Sequence, residues 1–248
     1  MKENLYQAMF IGLFLSKFDK KALLILGFKN FTEAYNTFGL LLKVKPLSIR
    51  NYRDEFDPVF PNARKGWHKR LMHQSRKDML LKYSNLDILG FVVKIKQIIY
   101  INPDIDLLEE KVISLEEDNN NKFIKRLMTG QAAEQYFKDN FQSIELFKNC
   151  SLQDTTKLGC GFDFKLNLDN KFYAIEVKGL SLNTGNIMLT PKEYKIANFL
   201  KEDYFIFLVK NFIKEPEYNI YRNPIFEQQL KFNKQEQIIT QVSWNANI

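Results

Sequence analysis

Two alternating segments separated by a two-residue turn signal set the tightest limit on how this chain can fold. Phe162 to Leu168 and Lys171 to Gly179 interleave apolar and polar residues, and Asp169-Asn170 between them is a hairpin turn signal. A two-residue loop pairs Leu168 with Lys171, so paired positions sum to 339 and Asp163 is expected directly opposite Glu176. Lys178 lies two residues beyond Glu176 and emerges on the same face, whereas Val177 points to the other. Three ionisable side chains are thereby expected on one patch of a sheet otherwise built from Phe, Ile, Leu and Val.

The flanking patterns extend this hairpin into a sheet with helices. A helix is expected from about Gln131 to Asp139, and a strand from Ser143 to Phe147. Thr190-Pro191-Lys192-Glu193 opens another helix with an N-cap Thr, Pro at the first helical position and Glu at N3. Tyr204 to Lys210 reads as a buried strand. The order helix, strand, hairpin, helix, strand predicts an α/β (α+β) fold with a mixed sheet flanked by helices. A packed helix is expected in the tail from Phe226, which includes Trp244.

The first half is helical in pattern. Asn30 followed by Glu33 resembles a capping box, and Phe31, Ala34, Tyr35, Phe38, Leu41 and Leu42 form one apolar face. A Val44-Lys45-Pro46 turn leads into a second helix, about Leu47 to Phe56, which Asp57-Pro58 ends. Two helices joined so tightly suggest a helix-turn-helix, with Ile49, Tyr52 and Phe56 inward and Arg50, Asn51 and Asp54 outward. The polar run Glu116 to Asn121 reads as a boundary between a basic DNA-recognition domain over 1–115 and a second domain over 122–248.

Charge supports that division. The chain carries +7, and between Lys43 and Lys77 ten basic residues meet three acids, which accounts for the whole excess. Five of the seven arginines lie there with both histidines and Trp67. Clustered Arg beside an aromatic is the footprint of phosphate contact, here expected from Arg64, Lys65, Trp67, Lys69 and Arg70 on a loop. Arg50, Asn51 and Arg53 on the second helix are candidates for reading bases, because Arg and Asn make bidentate contacts to guanine and adenine. The alternative is that Arg50–Asp54 and Arg53–Asp57 are i,i+4 ion pairs that hold each other.

Opposed carboxylates need a reason to be there. At ~5 Å and an effective dielectric of ~20, two of them repel by about 3 kcal/mol. A divalent cation offsets this, and two carboxylates, a backbone carbonyl and waters suit Mg²⁺. A neighbouring lysine can orient a water and stabilise phosphate charge. A surface ion pair on an exposed strand edge is the plainer alternative. Apolar neighbours weigh against it, as do Gly161 and Gly179, which would let a ligand approach closely.

At these residues the sequence resembles the PD-(D/E)XK nuclease superfamily, and most closely its branch with the NO VEIN C-terminal domain. Gly161-Phe162-Asp163, then Ile175-Glu176-Val177-Lys178-Gly179, look like the acidic and ExK elements, with Phe162 where the superfamily name has proline. Thr129-Gly130-Gln131-Ala132-Ala133-Glu134 resembles the upstream helix that adds a glutamate to the site, and Leu189 to Ala197 followed by Tyr204 to Val209 continues the likeness. The resemblance covers roughly 125–212. It implies a restriction-endonuclease-like fold, Mg²⁺ (with Mn²⁺ able to substitute) held by Asp163, Glu176 and the Val177 carbonyl, and Glu134 as an accessory metal-site residue. Lys178 would position the attacking water. Asp163, Glu176 and Lys178 would be the catalytic set of a type II restriction endonuclease that leaves 5′-phosphate ends on double-stranded DNA.

Composition excludes other classes. With 45% apolar and 14% aromatic residues, collagen-like, disordered and coiled-coil readings fall away. The longest apolar stretch, Ala8 to Leu15, is too short to span a bilayer, and no small-residue cleavage site follows it. Two cysteines, Cys150 and Cys160, make neither a disulfide framework nor a zinc site, which fits a cytoplasmic protein. A homodimer is compatible with one site per chain. A structure- or modification-directed DNA nuclease, or a non-enzymatic DNA-binding regulator, are the rivals to the restriction reading.

Overall fold

A computed structural model describes residues 2–64, 70–99, 117–169, 171–227 and 230–236, with the side chains of 124–140 but not of 117–123 described in the long central helix. Lys65, Trp67, Lys69 and Trp244, and the second residue of the hairpin turn, lie outside the described residues. Among the described residues there are eight α-helices and a five-stranded mixed sheet.

The first six helices, α1 (Glu3–Phe18), α2 (Lys20–Ile25), α3 (Phe31–Leu41), α4 (Pro46–Phe56), α5 (Gln74–Tyr83) and α6 (Ile88–Ile99), form a bundle. The apolar run Ala8 to Leu15 is wholly buried in α1, and Phe10 and Phe14 stack on Phe91 of α6. No described helix is long and apolar enough to cross a membrane. Half of the expected capping box before α3 forms: Glu33 N–H donates to Asn30 Oδ1 at 2.8 Å, but Glu33 Oε2 accepts Lys29 N–H at 2.6 Å, one residue before the N-cap. Gly12 lets α1 and α4 approach so closely that a Cβ there would sit 2.6 Å from Tyr52 Cβ.

From Glu117 onward, the polar segment expected to be a boundary is part of helix α7 (Glu117–Asn140). Its Ile124 and Met128 pack into the bundle core, whereas Ala132, Ala133 and Phe137 pack on the sheet. The two cores therefore divide within this helix. Asn36 of α3 also donates from Nδ2 to the carbonyls of Phe212 and Lys214 at 2.8 Å each, and Lys125 pairs with buried Glu33 at 2.8 Å.

The sheet order is β1 (Ser151–Asp154), β2 (Phe164–Leu168), β3 (Lys171–Gly179), β4 (Tyr204–Lys210) and β5 (Glu217–Arg222). Strands β2 and β3 pair antiparallel from Leu168↔Lys171 to Phe164↔Ile175, the register the two-residue turn dictates, with Asp169 in the left-handed region at φ 46°. β3 and β4 are parallel, and α8 (Pro191–Leu200) lies between them in the chain. Alternation gives the sheet two faces. Tyr173, Ile175, Val177, Phe205 and Phe207 face α7, while Ala174, Tyr204 and Ile206 face α8.

Three expectations change. Ser143 to Phe147 is not a strand but part of two 3₁₀ turns, Phe141–Ser143 and Glu145–Phe147. Ile144 is extended between the two turns, and Phe141 and Phe147, one from each, are buried in the core between α7 and the sheet. Edge strands β1 and β5 flank a sheet whose expected core was the hairpin and β4. No helix forms at 230–236; Leu230 and Phe232 instead pack irregularly on the α8 side.

Candidate active site

The hairpin ladder stops at Phe164↔Ile175, so Asp163 is not paired directly opposite Glu176 as the register alone predicts. The chain turns out of the strand there: Asp163 N–H donates to Ile175 O at 2.9 Å, and Gly161 adopts φ 93°. The Asp163 carboxylate reaches across instead, and Oδ2 accepts the Val177 N–H at 2.8 Å. In an extended strand a residue's N–H and C=O point to the same side, so the Val177 carbonyl also opens where β2 has ended. The Asp163 loop is held on several sides. Thr155 N–H donates to Asp163 O at 2.9 Å, Thr155 Oγ1 donates to Phe162 O at 3.1 Å, and Tyr204 OH donates to Gly161 O at 3.2 Å.

Glu176 and Lys178 lie on the α8 face, as strand alternation requires. Glu176 is 3% exposed, and its Oε1 accepts Lys178 Nζ at 2.5 Å. The same ammonium donates to Glu193 Oε2 at 2.9 Å. Glu193 is a site residue that sequence reasoning missed. Its N3 position in the capping box, confirmed with Thr190 Oγ1 accepting Glu193 N–H at 3.2 Å, accounted for it fully. The overlooked signal was position: a carboxylate in the first turn of the helix that covers the ExK face.

Burial dominates the electrostatics. It pushes the Glu176 carboxyl up to about 8, aided by the charge of Asp163 and opposed by Lys178. Asp163 rises to about 6 by burial, against the pull of the Val177 N–H and Lys178. Glu134 on α7 rises to about 7 through burial and then the charge of Asp163, which ties it to the same cluster from the other face. Burial works against the charge on Lys178, yet Glu176 and Glu193 together hold it above the ordinary amine value. Lys178 is thus an ammonium donor and not a base.

The glycines have a different use from the one expected. A Cβ at Gly179 would stand 2.8 Å from the Thr129 carbonyl of α7, and one at Gly161 would stand 2.9 Å from Ile196 Cγ1 of α8. Both let helices close on the sheet; neither leaves room for a ligand.

A metal ion here would draw on the oxygen donors of this cluster. Among the described residues no three His, Cys, Asp or Glu side chains gather closely enough to hold one. What is present, buried Glu176, half-buried Asp163 and a backbone carbonyl beside them, fits the sparser binding of Mg²⁺, which takes one or two carboxylates and keeps several waters.

Residues 133–221 match the family model described as Protein NO VEIN, C-terminal. That span is just over a third of the chain, and it holds Glu134, Asp163, Glu176, Lys178 and Glu193. No curated protein and no solved structure matches the chain. The NO VEIN C-terminal match thus covers the sheet, α8 and the end of α7, and leaves the helical bundle outside it.

Three arginines of the basic cluster, Arg53, Arg64 and Arg76, are turned inward onto acidic partners, whereas Lys43, Lys45 and Lys77 are exposed. Arg53 has only 10% of its side chain exposed; it bonds Asp54 at 2.6 Å, lies 3.9 Å from Asp57 and stacks over Phe31 and Tyr35. Arg64 bonds buried Asp57 at 2.6 and 2.8 Å and also pairs with Asp19. Arg76 clasps Glu55 at 2.6 Å. The i,i+4 pairs form, with Arg50–Asp54 at 3.7 Å. Arg50 and Arg70 are exposed, and Asn51 is half-buried.

Proposed function

We propose that the protein is a metal-dependent nuclease that hydrolyses DNA phosphodiesters, and more narrowly a type II restriction endonuclease. One observation carries the reading: Asp163, Glu176 and Lys178 converge at the open end of the β2–β3 ladder, two of them as carboxylates raised by burial. Burying two acids beside each other without a cation is unfavourable, and the arrangement gains a purpose once one binds. The NO VEIN C-terminal match over the same residues supports a nuclease-like role.

Asp163, Glu176 and the Val177 carbonyl would hold Mg²⁺, with Glu134 as an outer acid. When bound, the ion would supply Lewis acidity and a more acidic water. The chain's own residues do the rest. Lys178, kept charged by its acidic partners, donates to a water or to a phosphate oxygen and offsets the negative charge that grows there. Thr155 and Tyr204 hold the backbone of the Asp163 loop and the Val177 N–H holds its carboxylate before substrate arrives, so little reorganisation is needed. Exposed Arg50 and Arg70 would meet DNA phosphates, whereas Arg53 and Arg64 shape the surface that presents them.

Incubating unmodified plasmid with the protein in Mg²⁺ and in EDTA tests the reading. Discrete fragments in Mg²⁺ only are expected; a smear would remove the restriction assignment, and no cutting under either condition would remove the nuclease.

A further inference from the structure

Lys178 has two acidic partners on one nitrogen, and they are not equivalent. Glu176 is almost wholly buried in the sheet face and belongs to the carboxylate pair described above. Glu193 lies at the first turn of α8, where its Oε2 also accepts Thr190 N–H at 3.0 Å, so the capping box fixes it independently of Lys178. A divalent cation on Glu176 competes directly with the ammonium 2.5 Å away, since both are cations seeking one carboxylate. We propose that Glu193 is the alternative anchor for Lys178: it retains the ammonium when a cation takes Glu176, so the lysine yields the carboxylate without leaving the site.

The geometry makes the exchange small. Nζ already lies within hydrogen-bond reach of both acids, at 2.5 and 2.9 Å, and no main-chain movement is needed to trade one for the other. Without Glu193 the ammonium would have Glu176 as its sole carboxylate among the contacts described, and would hold it against the incoming ion. Glu193 is in these terms a positioning residue that acts through Lys178. The inference rests on the nuclease reading only in taking Asp163 and Glu176 as the cation's ligands.

The test measures binding and not turnover. Mn²⁺ is titrated calorimetrically into the full chain as wild type, Glu193→Gln, Lys178→Met and the double variant, with thermal melts to verify folding. Glutamine at N3 still accepts the N-cap amide, so Glu193→Gln preserves the capping box. Glu193→Gln is expected to weaken Mn²⁺ binding about tenfold, within the coupling range of contacting groups. Lys178→Met should bind at least as tightly as wild type, and in that background the effect of Glu193→Gln should shrink to less than half. An unchanged affinity in Glu193→Gln would overturn the proposal, as would an equal penalty with and without Lys178, the mark of a direct field from the charge. Failure of the wild type to bind Mn²⁺ would overturn the nuclease reading as well, which separates the two.

Discussion

Glu176 is held in a place a carboxylate does not favour. Burial and the neighbouring Asp163 raise it from an ordinary 4.5 to about 8, and Asp163 itself goes from 3.8 to about 6. An acid with a raised folded pKa keeps a proton that the unfolded chain has released, so the folded state binds more protons across this window. Stability of the cation-free protein should then fall as pH rises from about 5 to 8. Melting curves in EDTA should show that decline, and Glu176→Gln should flatten it and raise the midpoint at pH 8; a midpoint that climbs with pH would contradict the assignment. The grouping of Asp163, Glu176 and Lys178 at one end of the hairpin was legible in sequence because strand alternation and a two-residue turn place them geometrically. Glu193 was not, because its capping role left nothing unexplained. The position of Asp163 was legible only to within one residue, since the backbone leaves the ladder there at a bend that alternation cannot reveal.

At the scale of elements, local signals were sound and nonlocal ones were hidden. Capping residues announced α3 and α8, and Pro46 stands at the start of α4. The arginines of the basic cluster were read as facing solvent because three of the acids that hold them, Asp19, Asp57 and Glu55, come from other turns and other helices. Asp57 is the centre of that network: wholly buried, it accepts from Ser16 Oγ at 2.7 Å and from Arg64. Asp57→Ala should destabilise the bundle by about 3–5 kcal/mol, the usual result of stranding a buried charge. Arg50, with 59% of its side chain exposed, should change stability by no more than about 0.5 kcal/mol when replaced by Ala. Urea unfolding of the two variants distinguishes them, and equal effects would contradict a stabilising role for the Asp57 network.

For the whole molecule, α7 is the element that joins the helical bundle to the sheet. One helix contributes Ile124 and Met128 to the bundle core and Ala132, Ala133 and Phe137 to the sheet core, and Asn36 ties α3 to the loop after β4. The sequence suggested two domains because the polar run before Lys122 looks like a linker; from Glu117 onward that run is helical in α7, which serves both cores. A single cooperative unfolding transition is therefore expected by both calorimetry and near-ultraviolet circular dichroism, and two resolved transitions would show independent halves. The proposed nuclease activity requires Asp163, Glu176 and Lys178 to act together on a phosphodiester. Its most direct test compares duplex DNA cleavage in Mg²⁺ by wild type, Glu176→Ala and Lys178→Ala, with DNA affinity measured in parallel. Both variants should bind duplex as the wild type does and cut it at least about 100-fold more slowly, in line with the loss of one positioned charge; cleavage at the wild-type rate in either would contradict the central claim.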